Sequence, residues 1–170
     1  MANTTSEQGA TCGVLAPDFT LKDVARPADA PSARLRTWRQ RKPVLLALLP
    51  AHASAQNASW LRTLAERADD LAFYEAVTLA IAPEPEARRL LGEVDAPVPL
   101  LADEDGATLA AYLGDGAALP ALAVIDRYNS LAALLPASGP GAAPDVDAAL
   151  RELSYADQQD CACTLPAWEN

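Results

Sequence analysis

Short apolar runs alternate with helix-like segments along most of this chain, and that alternation restricts the fold more than any other feature. The run from Pro43 to Leu49 (PVLLALL) contains no polar side chain, which is typical of a strand covered on both faces of a sheet. The next segment spaces Leu61, Leu64 and Ala68 three and four residues apart. This spacing favours an amphipathic helix packed on that sheet. We therefore expect a sheet between helical layers.

The same pattern continues through the rest of the chain. We predict further strands over residues 18–24, 76–82, 97–102, 119–125 and 130–135, and helices over residues 84–91, 105–113 and 145–159. The turn-like residues 127–129 make the last two strands a hairpin. Asp145 is placed to cap the final helix. The expected fold class is α/β, with a mixed central sheet, helices on both faces and a C-terminal hairpin plus helix. We expect the domain to span residues 14–159, preceded by a flexible segment over residues 1–13 and followed by a cysteine-containing tail over residues 160–170.

The charge balance disfavours several classes of partner. The 170 residues carry a formal net charge of −10, whereas binding to phosphate backbones or anionic lipid surfaces needs a basic surface. The most apolar run is far shorter than the roughly 20 residues that span a bilayer, and residues 1–13 do not resemble a secretory signal. Three cysteines are too few and too unevenly spaced for a disulfide framework. We therefore expect a cytoplasmic protein with no nucleic-acid or membrane partner.

The loop after the central strand is the first place to look for chemistry, because ligands of such sheets sit beyond the carboxyl ends of the strands. This loop covers residues 50–59 (PAHASAQNAS) and contains His52, the one histidine of the chain. His52 is a candidate acid, base or ligand, or simply a solvated polar residue. Ser54 and Asn57 are candidate helix caps, because both residue types accept hydrogen bonds from the free N–H groups of a helix start.

Four segments together resemble a known family. They are VLAPDFTLKDV at residues 14–24, KPVLLALLP at 42–50, LLADEDGATLAAYLG at 100–114 and LPALAVIDR at 119–127. In this order and spacing they resemble the thioredoxin-like superfamily and, within it, the peroxiredoxin group, also called the alkyl hydroperoxide reductase and thiol-specific antioxidant family. The resemblance spans residues 14–159. It implies a three-layer sandwich, a thiol peroxidase or oxidoreductase activity and a homodimer.

The resemblance also defines an active-site motif, which this chain matches only in part. The family carries a proline, three residues, a threonine or serine, two residues and then the peroxidatic cysteine. Pro50 and Ser54 match the first two positions, and Asn57 stands at the position of the cysteine. A thiolate at a helix start attacks the peroxide oxygen, whereas an amide offers no ionised nucleophile and cannot form a sulfenic acid.

A second position departs from the peroxidase pattern as well. The family's peroxide-binding arginine would lie six residues before Asp126, where this chain has Pro120. Thioredoxins carry a cis-proline at that place, so Pro120 resembles the thioredoxin pattern. The two cysteines of a thioredoxin, however, would correspond to Ser54 and Asn57. We therefore regard Pro50, Ser54, Asn57 and Pro120 as positions of a degenerate active site.

The C-terminal Cys161 and Cys163 leave three alternatives open. A bridge between cysteines two residues apart in extended chain would be strained and hence readily reduced, so the pair is a redox candidate. With Cys12 and His52 it would make a four-ligand metal set only if both termini reached the loop. The third alternative is a chemically inert tail, with Leu165 and Trp168 packing on the body or docking elsewhere. We expect neither a cofactor nor a metal.

Two functional hypotheses follow. We favour a protein that keeps the peroxiredoxin-like fold, lacks peroxidase activity and has a binding or regulatory role in redox homeostasis, with a protein or small-molecule partner at the 50–59 loop. The alternative is a thiol-disulfide oxidoreductase that uses Cys161 and Cys163.

Overall fold

The computed structural model describes residues 9–50, 54–94 and 98–162 and, for residues 54, 55 and 157–162, their backbone only. The strands in this part of the chain are β1 (Thr20–Asp23), β2 (Ala33–Arg34), β3 (Val44–Leu48), β4 (Val77–Pro83), β5 (Leu100–Asp103), β6 (Ala121–Ile125) and β7 (Leu131–Pro136). The α-helices are α1 (Ser54–Glu66), α2 (Ala68–Phe73), α3 (Glu84–Glu93), α4 (Ala107–Leu113) and α5 (Val146–Ala162), and Leu35–Trp38 forms a 3-10 turn.

The strands form one mixed sheet of seven strands in the order β2-β1-β5-β4-β3-β6-β7. Strand β3 pairs in parallel with β4 and antiparallel with β6, and β4 pairs in parallel with β5. All five residues of β3 are buried, as the unbroken apolar run predicted. The α/β fold with a mixed central sheet and a C-terminal hairpin plus helix is confirmed.

Helices cover both faces of the sheet because successive residues of β3 point to opposite sides. Leu45 and Ala47 join a core with α1, α3 and α5 that includes Trp60, Leu64 and Leu153. The intervening residues of β3 belong to the core of the other face, which is covered by α4 and the 3-10 turn and includes Val44, Leu46, Leu48, Leu35, Leu109 and Tyr112. The three-layer sandwich therefore has two separate apolar cores.

The observed elements differ from the predicted ones at three places. The helix predicted to run through Ala68 is interrupted at Arg67, which hydrogen-bonds Asp70 and Asp147 and separates α1 from α2. The short β2 and the 3-10 turn have no apolar periodicity and were not predicted. Helix α5 continues to Ala162, three residues beyond its predicted end at 159.

The two edges of the sheet at which its strands begin and end are lined by different parts of the chain. The carboxyl ends of β3, β4 and β5 meet at one edge, and Asp103 there is 1% exposed and accepts a hydrogen bond of 2.8 Å from the Leu109 N–H. At the opposite edge, Pro43, Arg127 and Ser154 of α5 line one cavity. Helix α5 therefore runs toward the edge opposite the end of β3.

In the described residues, no helix is long and apolar enough to cross a membrane.

Candidate functional site

Asn57 is fully buried and lies in the first turn or so of α1, just past the end of β3. Its side-chain Nδ2 donates one hydrogen bond of 3.1 Å to the Pro50 carbonyl and another of 3.0 Å to Glu86 Oε1. Both partners are acceptors, so the orientation of the amide follows from the bonds it makes. The side chain ties together the end of β3, the start of α1 and helix α3.

The cap expected at Asn57 is wrong. A capping side chain accepts a hydrogen bond from a backbone N–H of its own helix, whereas the Asn57 side chain donates to groups outside α1. The reason is position, because α1 begins at Ser54 and Asn57 already lies inside it. The side chain of Ser54 lies outside the described residues, so its predicted cap stays a prediction.

Glu86 is the acidic partner of Asn57 and is 7% exposed. The Arg89 guanidinium binds it through two parallel hydrogen bonds of 2.8 Å, from Nε to Oε2 and from Nη2 to Oε1. Arg89 also donates to Glu93 one turn further along α3. Such a bidentate pair holds both groups in one orientation, so the carboxylate that faces Asn57 is fixed in place.

The charge state of Glu86 follows from these contacts. The hydrogen bonds from Arg89 lower the pKa of the Glu86 carboxyl below its ordinary value, against the opposing effect of desolvation, and the bond from Asn57 lowers it further. The same bonds raise the pKa of Arg89. At neutral pH, Asn57 therefore faces an anion.

The remaining atom of the amide has a different environment. The Asn57 Oδ1 is buried without a hydrogen-bond partner in the described part of the chain, and the same holds for the Trp60 Nε1 one turn later. An unpaired buried acceptor costs about 1–3 kcal/mol. The stabilising contribution of the amide therefore comes from the two hydrogen bonds that its nitrogen donates.

Pro120 shares a cavity with residues of α1, and its peptide bond is trans. It lines a cavity of about 240 Å³ together with Gln56 and Trp60 of α1 and the segment around Gly141. The cis-proline expected from the thioredoxin pattern is wrong, because the described residues contain no cis peptide bond. Its carbonyl instead accepts a hydrogen bond from the Ala137 N–H as the β6–β7 ladder ends.

The other predicted site residues are only partly described. His52 and Cys163 lie outside the described residues, as do the side chains of Ser54 and Cys161. The backbone of Cys161 lies in the last turn of α5, about 10 Å beyond Ser154 at 1.5 Å per residue. Because Ser154 lies at the edge opposite Pro50, α5 carries Cys161 away from Asn57. In the described part of the chain, no cluster of metal-ligating side chains is present.

Sequence reasoning missed Glu86 and Arg89. The pattern of Glu84–Leu91 predicts only a helix with acidic residues in its first turn. The available signal was the pair Glu86 and Arg89, spaced three residues apart directly after a buried strand. That spacing places the two side chains on one helix face, at the edge where the sequence had already placed Asn57.

The comparisons with known proteins decide the family. The model of the AhpC/TSA family matches residues 12–133. The chain belongs to the AhpC/TSA family. Comparison with curated proteins returned no match.

Solved structures of peroxiredoxins share the fold. The mitochondrial 2-Cys peroxiredoxin from Plasmodium falciparum is similar with a TM-score of 0.75 and 15% identity, over 91% of this chain and 99% of that one. A reduced 2-Cys peroxiredoxin from Plasmodium vivax gives 0.73 and 20%, over 88% and 98% of the two chains. Mycobacterium tuberculosis AhpC gives 0.69 and 19%, over 92% and 98%. The peroxiredoxin-like interpretation of the sequence is confirmed.

The lowered pKa of Glu86 predicts how stability depends on pH. A carboxyl whose pKa is lower in the folded state contributes stability above its unfolded pKa, and this contribution is lost as the pH falls through the folded pKa. Glu86→Gln should therefore lower the free energy of unfolding by about 1–2 kcal/mol at neutral pH. The difference from the wild type should shrink as the pH falls below the ordinary value of 4.5. Denaturant unfolding across a pH series measures it.

Glu84→Gln is the matched control, because Glu84 pairs with Arg88 on the same helix but is more exposed. An exposed pair contributes about 0–1 kcal/mol. A Glu86→Gln effect no larger than that of Glu84→Gln, or one that grows on acidification, would contradict the assignment.

Proposed function

We propose that this family member lacks peroxidase activity and acts in the cytoplasm as a binding or regulatory protein in redox homeostasis. The observation that carries the proposal is the buried amide of Asn57, held by Pro50 and Glu86 where the motif of the resemblance would place the peroxidatic cysteine. An amide has no thiolate form and no oxidisable sulfur.

The surroundings of Asn57 support the proposal independently of the amide itself. A thiolate at this place would lie beside the ionised Glu86 rather than beside a cation, and a neighbouring like charge disfavours the ionised thiol. Arg89, the nearby cation, already makes its hydrogen bonds to Glu86 and Glu93. The site is therefore unsuited to peroxide reduction for two reasons, the residue and its environment.

A binding role is supported by the cavity next to Asn57. Its lining combines the amide of Gln56 and the hydroxyl groups of Ser59 and Thr63 with the apolar surfaces of Trp60 and Pro120. None of these side chains is charged, and the volume of about 240 Å³ suits a few atoms of a ligand or one peptide side chain. We propose this surface, together with the 50–59 loop and His52, as the place where a protein or small-molecule partner binds.

The alternative proposal is a thiol-disulfide oxidoreductase that uses Cys161 and Cys163. In that reaction the two thiols would give two electrons and two protons to a partner's disulfide and become a disulfide themselves. The course of α5 toward the other edge of the sheet means that this chemistry would not involve Asn57 of the same chain. The two proposals therefore predict different consequences of replacing the cysteines.

Peroxide consumption separates the two proposals. We expect the wild type and the Cys161→Ser, Cys163→Ser double variant to consume hydrogen peroxide at the same background rate in the presence of dithiothreitol, because neither contains a nucleophile at the site. Insulin disulfide reduction is measured on the same two proteins. An activity of either kind that disappears with the two cysteines would overturn the binding proposal in favour of the oxidoreductase.

A cysteine introduced at position 57 tests whether the surroundings of this position also disfavour a thiolate. In a background with the three native cysteines replaced by serine, we expect the thiol of Asn57→Cys to have a pKa above the ordinary value of about 8.5. Adding Glu86→Gln should lower it, because the neighbouring negative charge is removed. The ultraviolet absorbance of the thiolate during a pH titration measures both.

Ser59→Cys in the same background is the matched control, because Ser59 lies on the same helix but is exposed. Its thiol should titrate near the ordinary value. An Asn57→Cys thiol that ionises at lower pH than the Ser59→Cys thiol would contradict the proposed role of Glu86.

We also propose a homodimer, which the family resemblance implies. Strand β7 supports it, because β7 is the last strand of the sheet and pairs with no strand but β6 in the described part of the chain. Backbone hydrogen bonds from the segment at Gly13 and Val14 reach its first residue, Leu131, so the rest of this edge is available for another strand. Sedimentation velocity on the purified chain should show a dimer. A monomer at every accessible concentration would contradict this proposal.

A further inference from the structure

A second cavity lies at the edge of the sheet opposite Asn57. It has a volume of about 460 Å³ and is lined by Arg41, Pro43, Phe73, Tyr74, Glu75 and residues of the β6–β7 turn and α5. Phe73 is 81% exposed, the highest value among the large apolar side chains described. Its ring packs edge-on against Tyr74 with centroids 5.1 Å apart. We call this surface the Phe73 groove.

The charge of the Phe73 groove differs from that of the whole chain. Its walls carry the guanidinium groups of Arg41 and Arg127 against the single carboxylate of Glu75, whereas the protein as a whole carries −10. Aromatic rings and guanidinium groups side by side are well suited to an aromatic side chain next to an acidic one. The groove therefore favours an occupant that has both.

The path of the chain brings such a segment close. Ser154 of α5 lines the groove, and α5 ends eight residues later at Ala162, about 12 Å further along its axis. The chain then continues as CTLPAWEN over residues 163–170. The six residues from Ala162 to Trp168 span up to about 20 Å when extended. This length is sufficient to return to the level of Ser154.

We propose that residues 164–169 fold back on their own chain and occupy the Phe73 groove. The Trp168 ring packs against Phe73, and Glu169 pairs with Arg41 and Arg127. Attachment to α5 supplies the segment at a high effective concentration, so the modest positive charge of the groove is sufficient to bind it. The proposal is independent of the proposed function and assigns a binding site to the segment that directly follows Cys163. That cysteine is then held at the edge away from Asn57.

Fluorine NMR of the full-length chain labelled with 5-fluorotryptophan tests this proposal. The chain has three tryptophans. The resonance of Trp168 is assigned as the one that is lost in Trp168→Phe. We expect the Trp168 resonance to be shifted from its position in the synthetic peptide TLPAWEN. Phe73→Ser should return it to the peptide position, and Arg41→Glu should move it most of the way. The resonance of Trp60, which is buried in the core under α1, should stay unchanged, which shows that the fold is intact.

Leu91→Ser and Arg34→Glu are the matched controls, because both residues are exposed but lie outside the Phe73 groove. Neither should move the Trp168 resonance. A Trp168 resonance at the peptide position in the wild type, or one moved equally by the controls, would overturn the proposal. A shift that disappears on dilution as the chain dissociates would overturn it too, because the occupant would then be the segment of a second copy.

Discussion

The two hydrogen bonds donated by the Asn57 amide are the constraint on which this account of the site depends. One bond goes to the carbonyl of Pro50, two residues past the end of β3, and the other goes to Glu86 of α3. A single buried side chain therefore connects three elements. A cysteine at this place would make only weak hydrogen bonds and would leave the paired Glu86 carboxylate without one of its donors. The local structure is therefore built around an amide, and Glu86 and Arg89 are arranged to receive it.

The fold places Asn57 and the end of α5 at opposite edges of the sheet. The mixed sheet places Asn57, Glu86 and Pro120 at the edge where β3 and β4 end, while α5 crosses the sheet and ends beyond the opposite edge. The cavities at the two edges differ in charge. The cavity beside Asn57 is lined by uncharged groups, and the Phe73 groove contains two guanidinium groups. The two proposed functions, partner binding beside Asn57 and thiol exchange at Cys161 and Cys163, would therefore take place at opposite edges of the sheet.

The sequence predicted most of the fold because apolar periodicity decides burial. Strand β3 and the core residues Leu61 and Leu64 follow directly from that pattern, and Asp145 accepts the hydrogen bond from the Ala148 N–H expected of a cap. Arg67 could not be recognised as a helix break, since its role depends on Asp147, which lies 80 residues away in sequence. Asn57 was found through its position after β3, but its role was not. The sequence does not distinguish a capping asparagine from a buried donor. The acceptor Glu86 belongs to α3 and comes close to Asn57 only in the folded chain.

The central claim concerns the protons of one side chain, and NMR observes them directly. In a ¹⁵N-labelled sample, the account predicts that the two Nδ2 protons of Asn57, assigned by their loss in Asn57→Ala, exchange slowly with water. One of them should change its chemical shift in Glu86→Gln. Side-chain amide protons that exchange as fast as those of an exposed asparagine and do not respond to Glu86→Gln would contradict the account.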